Sequence, residues 1–224
     1  MSIAEASTDT TGTGTADSFD PTLPTVAAND VCVLYVAMGN SSADPIGITA
    51  GWTAEGEIAG GSFSKIACFT RRMTGGDSAP TVDFNGNTHR YAWSCSVWSG
   101  VDTTTLLDVA VATNSGSSPA NGNVTAASIT TATDGAELVY GYSHDGSGTW
   151  TPDGSQSEVS DVNEGTSACL EVAKELRATA GAVGTRTAVS SVTNIEWAAI
   201  SLALRPAANP KGFIMLASGD GGFL

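Results

Sequence analysis

The stretch "YAWSCSVWSGVD", residues 91–102, decides the fold. Tyr91, Trp93, Cys95 and Val97 alternate with Ala92, Ser94, Ser96 and Trp98, and the run stops at Gly-Val-Asp. A half-solvated strand alternates apolar with polar residues, whereas a strand covered on both faces is apolar or small throughout. The stretch therefore predicts a central β-strand carrying those two sets on opposite faces. One face belongs to the core, and the other must be covered by a loop, a chain terminus or another subunit. "WAAISLALRPA", residues 197–207, has the same character, with Trp197, Ala199, Ser201 and Ala203 opposite Ala198, Ile200, Leu202 and Leu204.

That echo belongs to a longer internal repeat. "NDVCVLYVA" (29–37) is matched by "DGAELVYGY" (134–142), which sets Tyr35 beside Tyr140. "TAGWT" (49–53) is matched loosely by "TPDGS" (151–155). "ACFTRRMTGG" (67–76) is matched by "LEVAKELRAT" (170–179), which sets Phe69, Arg71 and Met73 beside Val172, Lys174 and Leu176. In a strand each trio shares a face, so Arg71 and Lys174 read as long stems lying over apolar surface with their heads in water.

No segment sustains an apolar period of 3.6. "CLEVAKELRATAG" (169–181) has good helix formers and a terminal glycine, but Leu170, Val172 and Leu176 alternate at period 2 and its counterpart is strand-like. Elsewhere short β-branched or aromatic runs are separated by Gly, Asn, Asp, Ser and Pro, the pattern of an all-β protein. The expected fold is an antiparallel two-sheet sandwich, jelly-roll or concanavalin-like, over residues 19–207, built from two degenerate repeats at about 19–112 and 121–207. Either one large sandwich or two tandem small ones fits. No composition shift marks a boundary between the copies, which favours one large sandwich. Residues 1–18, polar and rich in Gly and Thr, read as an extended N-terminal arm. Residues 208–224 read as a C-terminal arm, in which Phe213, Ile214, Met215, Leu216, Phe223 and Leu224 are too apolar for free solvent and are candidate protein-interface residues.

Charge narrows the function classes. The 224 residues hold 9 basic and 23 acidic side chains, a net charge of −14. Neutralising phosphates needs a basic stripe, so neither nucleic acid nor an anionic membrane is an expected partner. The first residues, "MSIAEASTDTTGTG", contain no basic segment followed by an apolar one, so no signal peptide and synthesis in a cytoplasm are expected. Cys32, Cys68, Cys95 and Cys169 then read as small core residues rather than disulfides.

No constellation of residues in the sequence marks a catalytic site. "SHDGSG" (143–148) holds a serine, a histidine and an aspartate, but neighbours in sequence cannot face one another as a triad, and Asp145-Gly146 reads as a turn tip. Glycoside hydrolysis needs two carboxyls roughly 5–10 Å apart. Glu171 and Glu175 are four residues apart on one strand, too far for that work. No zinc, calcium-loop or phosphate-loop motif is present, so no metal, cofactor or catalytic residue is expected and the protein is read as a non-enzyme. Trp150, in "GSGTWTPDG", is the one tryptophan placed at a loop and the candidate ligand-facing residue.

The succession "NDVCVLYVAM", "AGWT", "IACFTRRMTGGD", "TVDF" and "YAWSCSVWSGVD", followed by "LDVAVATNSG", resembles β-rich structural proteins of tailed bacteriophages and prophages. Those proteins carry "PAGWT"-like turns, "YYRxxxxGD"-like strand ends, "WxxxxxxYRGVD"-like strands and often a degenerate second copy ending in "WxxxxLALRPA". The resemblance covers about residues 20–207. "ITAGWT" replaces the proline form here and "VWSGVD" the Tyr-Arg form. It implies a virion component and a homo-oligomer, most simply a capsid decoration or cement protein bound to the major capsid protein or its neighbours. The alternative it leaves open is a tail-associated receptor- or carbohydrate-binding module.

Overall fold

The computed structural model describes residues 2–117 and 121–208. Among them the chain is all β, without helices. The first half contains β1 (Ala4–Glu5), β2 (Thr10–Ala16), β3 (Ser18–Phe19), β4 (Val31–Gly39), β5 (Gly47–Ile48), β6 (Thr53–Gly60), β7 (Ser64–Arg72), β8 (Val82–Asp83) and β9 (His89–Ser99). The second contains β10 (Ala112–Ser117), β11 (Asn123–Ala126), β12 (Thr130–Thr131), β13 (Ala136–His144), β14 (Trp150–Thr151) and β15 (Ser157–Asn163). It continues with β16 (Cys169–Arg177), β17 (Gly181–Ala182), β18 (Arg186–Ser190) and β19 (Glu196–Leu204). The helix-like segment is thus strand β16, as its period of 2 indicates.

Every named pairing is antiparallel. One large sheet runs β2-β9-β4-β7-β6, with β1 also on β9, and the other runs β10-β19-β13-β16-β15. Two three-stranded sheets follow, β3-β8-β5 and β11-β18-β14, beside a short β12–β17 pair. The large sheets pack face to face: Val33, Tyr35, Ile66 and Cys68 of one meet Val139, Leu170, Val172, Ile200 and Leu202 of the other. On its back the first carries a second apolar layer of Leu34, Val36, Met38, Phe69 and Trp93 under Val82 and Phe84. On its back the second carries Leu138, Tyr140, Tyr142 and Trp197 under Val124, Ala188 and Trp150. Four layers of sheet therefore enclose three apolar layers. The single large sandwich lies at the centre, with a small sheet behind each of its walls.

This explains the opening stretch. Tyr91, Trp93, Cys95 and Val97 face the outer layer, Ala92 and Trp98 the central one, and all are buried. The cover on the outer face comes from the chain's own small sheet. The central strands β4 and β13 are buried at all nine positions for the same reason.

The N-terminal segment is extended, as its composition suggests, but it is the edge of the first sheet rather than a free arm. Thr10 to Ala16 pair with β9 from Cys95 to His89. Its glycines make room for aromatic neighbours: a Cβ on Gly12 would stand 2.6 Å from Trp93, and one on Gly14 2.5 Å from Tyr91. Gly116 of β10 leaves the same space for Trp197.

Register corrects two of the alignments made on the letters alone. Pairing on β9 and β19 sets Met38 opposite Tyr91 and His144 opposite Trp197. Tyr35 therefore corresponds in position to Gly141, not to Tyr140, which points into the outer layer. By the same register Phe69 corresponds to Ala173 rather than Val172, and Arg71 to Glu175 rather than Lys174. A slip of one residue moves a side chain to the other face of its sheet. Arg71 lies beside Asp77 on the outer face and bonds it at 2.6 Å, whereas Lys174 reaches toward the first half to pair with Glu5. Leu176, expected to be buried, is 56% exposed.

Each half also pins the other's hairpin. Glu196 Oε2 accepts from the amides of Ser62 and Phe63, at 2.6 Å each, in the β6–β7 turn. Arg90, at the corresponding place ahead of Tyr91, bonds Glu164 Oε1 at 2.7 Å and Thr166 Oγ1 in the β15–β16 turn.

Candidate functional site

Trp150 is not ligand-facing. It starts β14, is 6% exposed, and its indole N–H donates to Cys169 Sγ at 3.1 Å. The loop-like signals around it reflect a two-residue strand between turns, too short to show an alternation. His144 packs against its ring, with centroids 4.7 Å apart.

His144 lies 2.9 Å from Ser190 Oγ through Nε2, a separation suited to a nucleophile and its base. The tautomer is the wrong one. The Gly146 amide donates to Nδ1 at 2.9 Å, so Nδ1 carries no proton and the neutral ring holds its proton on Nε2. The ring therefore donates to Ser190 instead of accepting from it, and a base of this kind needs the reverse arrangement. Burial lowers the His144 pKa to about 4. The pair ties β13 to β18.

The separated carboxylates Glu171 and Glu175 differ sharply. Glu175 accepts from Arg186 at 2.7 and 2.9 Å and from Arg177 at 3.3 Å. Glu171 is fully buried, and neither carboxyl oxygen has a hydrogen-bond partner. Burial, reinforced by Glu158 and Asp161, raises its pKa to about 9, so it stands protonated at neutral pH. All four cysteines are free and buried, as core residues. Among the described residues no group of three or more His, Cys, Asp or Glu is placed to hold a metal ion. No helix among them is long and apolar enough to cross a membrane.

Two features merit attention as functional surfaces. The first is a cleft of about 520 Å³ on one side of the central layer, lined by Glu5, Ser7, Asp9, Thr11, Val159 and Ser160. Glu5 pairs across the halves with Lys174, whose ammonium also lies 5.6 Å from the centre of the Trp98 ring. Asp9 lines the same cleft as Glu5. Burial and the neighbouring Glu5 raise the Asp9 pKa to about 7, against the attraction of Lys174. Neither acid is marked by a sequence motif, and a sequence separation of 169 hides the meeting of Glu5 and Lys174.

The second is a corner where residues 2–3 and 206–207 meet around Gly100. Gly100 has φ +75°, and a Cβ there would stand 2.4 Å from Ser2 O. Its carbonyl accepts from the Ala207 amide at 2.8 Å, and Val101 bridges Pro206. The candidate interface residues Phe213, Ile214, Met215, Leu216, Phe223 and Leu224 follow from this corner but lie outside the described residues.

No protein-family model, curated protein or solved structure matches the chain.

Proposed function

We propose that the chain is a structural component of a tailed-bacteriophage virion, a decoration or cement protein on the assembled capsid, and that its scaffold is a duplicated jelly roll. For the duplication, β2 to β9 and then β10, β11, β13 to β16, β18 and β19 follow one order of pairing. Counted within each half, the sheets are 1-8-3-6-5 and 2-7-4. A jelly roll differs only in placing its fifth strand on the smaller sheet. Bulges interrupt β6 and β15 at corresponding places, between Ala54 and Gly56 and between Glu158 and Ser160.

The observation that carries the virion reading is the shared corner at Gly100. The last described residues, Pro206 to Ala208, lie beside residues 2–3 at one corner of the double scaffold, and the apolar segment that contains Phe213 follows them in the sequence. The motif resemblance over residues 20–207 supplies the kind of neighbour, a capsid shell. Segments that order on a neighbour incur their entropy only at assembly. The burial of Trp150 takes away the one side chain that favoured carbohydrate binding over capsid decoration.

The test adds purified protein to capsids lacking it. Stoichiometric binding that is lost on deleting residues 208–224 supports the proposal. Failure to bind removes the capsid role, and unchanged binding after the deletion removes the adhesive segment.

A further inference from the structure

Strands β1 and β2 both pair with β9, but Glu5 lies opposite Trp98 and Thr10 opposite Cys95. The chain between them is longer than its partner, so residues 6–9 stand off the sheet edge and roof the cleft. One bond holds this roof from behind, the Ala6 amide donating to Val97 O at 2.8 Å. In front, Glu5 pairs with Lys174 of the other half, and Asp9 lines the cleft with Glu5. Asp9 Oδ1 and Ser7 Oγ are buried without hydrogen-bond partners.

The corresponding place in the second half is built differently. Leu107 bridges Leu204 in the register in which Glu5 meets Trp98. Val111 holds the place of Asp9 and packs over Gly56, where a Cβ would stand 3.2 Å from its Cγ2. Backbone bonds at 2.8 and 2.9 Å, from Asp108 to Ala203 and from Arg205 to Leu106, close that side. One side of the central layer is thus sealed by apolar side chains, and the other by carboxyls around a single ammonium.

We propose that residues 2–9 form a proton-controlled strap, docked while Asp9 carries a proton beside the Glu5–Lys174 ion pair and loosened when Asp9 ionises. The charged groups around it are Lys174 of β16, Glu137 of β13 and, further along β16, Glu175. Strand β9 contributes the Cys95 thiol, which its hydrogen bond with Cys32 and its burial keep neutral. Strand β15 turns Val159 and Ser160 to the cleft and pairs Asp161 with Glu171 on its other face. With Asp9 ionised, a second negative charge would join Glu5 at one ammonium, beside Glu137, whose pKa burial raises to about 7. Docking raises the Asp9 pKa from 3.8 to about 7, so the docked strap binds its proton more tightly than the free one. Docking is therefore strongest in acid and weakens as pH rises to about 7. Solvent screening of this half-exposed group reduces the effect, leaving about a tenfold fall between pH 5 and pH 8.

Hydrogen exchange on the full chain, corrected for the intrinsic pH dependence, tests this. Protection of residues 2–9, read at the Ala6 amide, should fall about tenfold from pH 5 to pH 8, while residues 106–111 keep theirs. Asp9→Asn should remove the difference and leave residues 106–111 protected. Equal protection of the strap at both pH values overturns the proposal. So does a pH dependence that survives in Asp9→Asn, or one that residues 106–111 share.

Discussion

The ring of Tyr35 occupies the space in which a side chain on Gly141 would begin: a Cβ there would stand 2.4 Å from Tyr35 Cδ1. The two residues hold corresponding positions in the two halves and meet in the central layer, one supplying a ring and the other the room for it. The Tyr35 hydroxyl donates to Val139 O at 2.9 Å, so the ring also joins the sheets by a hydrogen bond. Overpacking at such a contact costs about 1–3 kcal/mol. Gly141→Ala should lower stability to urea by that amount, and by clearly less in a Tyr35→Leu background. Equal losses in both backgrounds would show that the contact does not matter. Tyr35→Phe should cost about 1 kcal/mol.

Glu196 satisfies two amides of the opposite half's hairpin, and its carboxylate fills the space beside Gly61, whose φ is +71°. Glu196→Ala leaves those amides to water and should cost about 1–2 kcal/mol, with faster exchange confined to residues 61–63. Arg90→Ala removes an ion pair whose arginine side chain is 39% exposed, and should cost about 0.5 kcal/mol. A larger loss from Arg90→Ala than from Glu196→Ala would contradict this ranking.

Buried Glu171 makes stability fall toward alkaline pH. Its pKa is about 9 in the fold and 4.5 ordinarily, so the folded chain holds a proton that the unfolded chain releases. That contribution is complete below pH 4.5 and is lost as pH rises toward 9. Thermal melts should show a lower Tm at pH 9 than at pH 6, with a much flatter profile for Glu171→Gln. An unchanged alkaline slope in the variant would clear Glu171 of this role.

His144 acts in the opposite direction. Its pKa falls from 6.5 to about 4 on burial, so its contribution is present above pH 6.5 and lost as pH falls through 4. NMR titration should find His144 neutral at pH 5, and His144→Asn should weaken the acid-side loss. A histidine titrating near 6.5 would mean that the ring is open to water.

The amino-acid sequence by itself determined that the protein is built of strands, that those at residues 91–99 and 197–204 are covered on both faces, and that its cysteines are core residues. Small and apolar letters at every position leave no other reading, because such a strand cannot face water. The serines of the 91–99 strand also preserved its alternation, so the match of Tyr91 to Trp197 falls on the correct face. Strands β4 and β13 carry no such mark. Buried on both sides, they have no alternation to fix their phase, and aligning Tyr35 with Tyr140 slipped by one residue. Only the tertiary structure decided that register, since pairing with β9 and β19 sets it. The folded chain likewise supplied the small sheets as cover, buried Trp150, and brought Glu5 and Asp9 to Lys174. Those outcomes depend on which distant surfaces meet, and local pattern records only that a surface must be met.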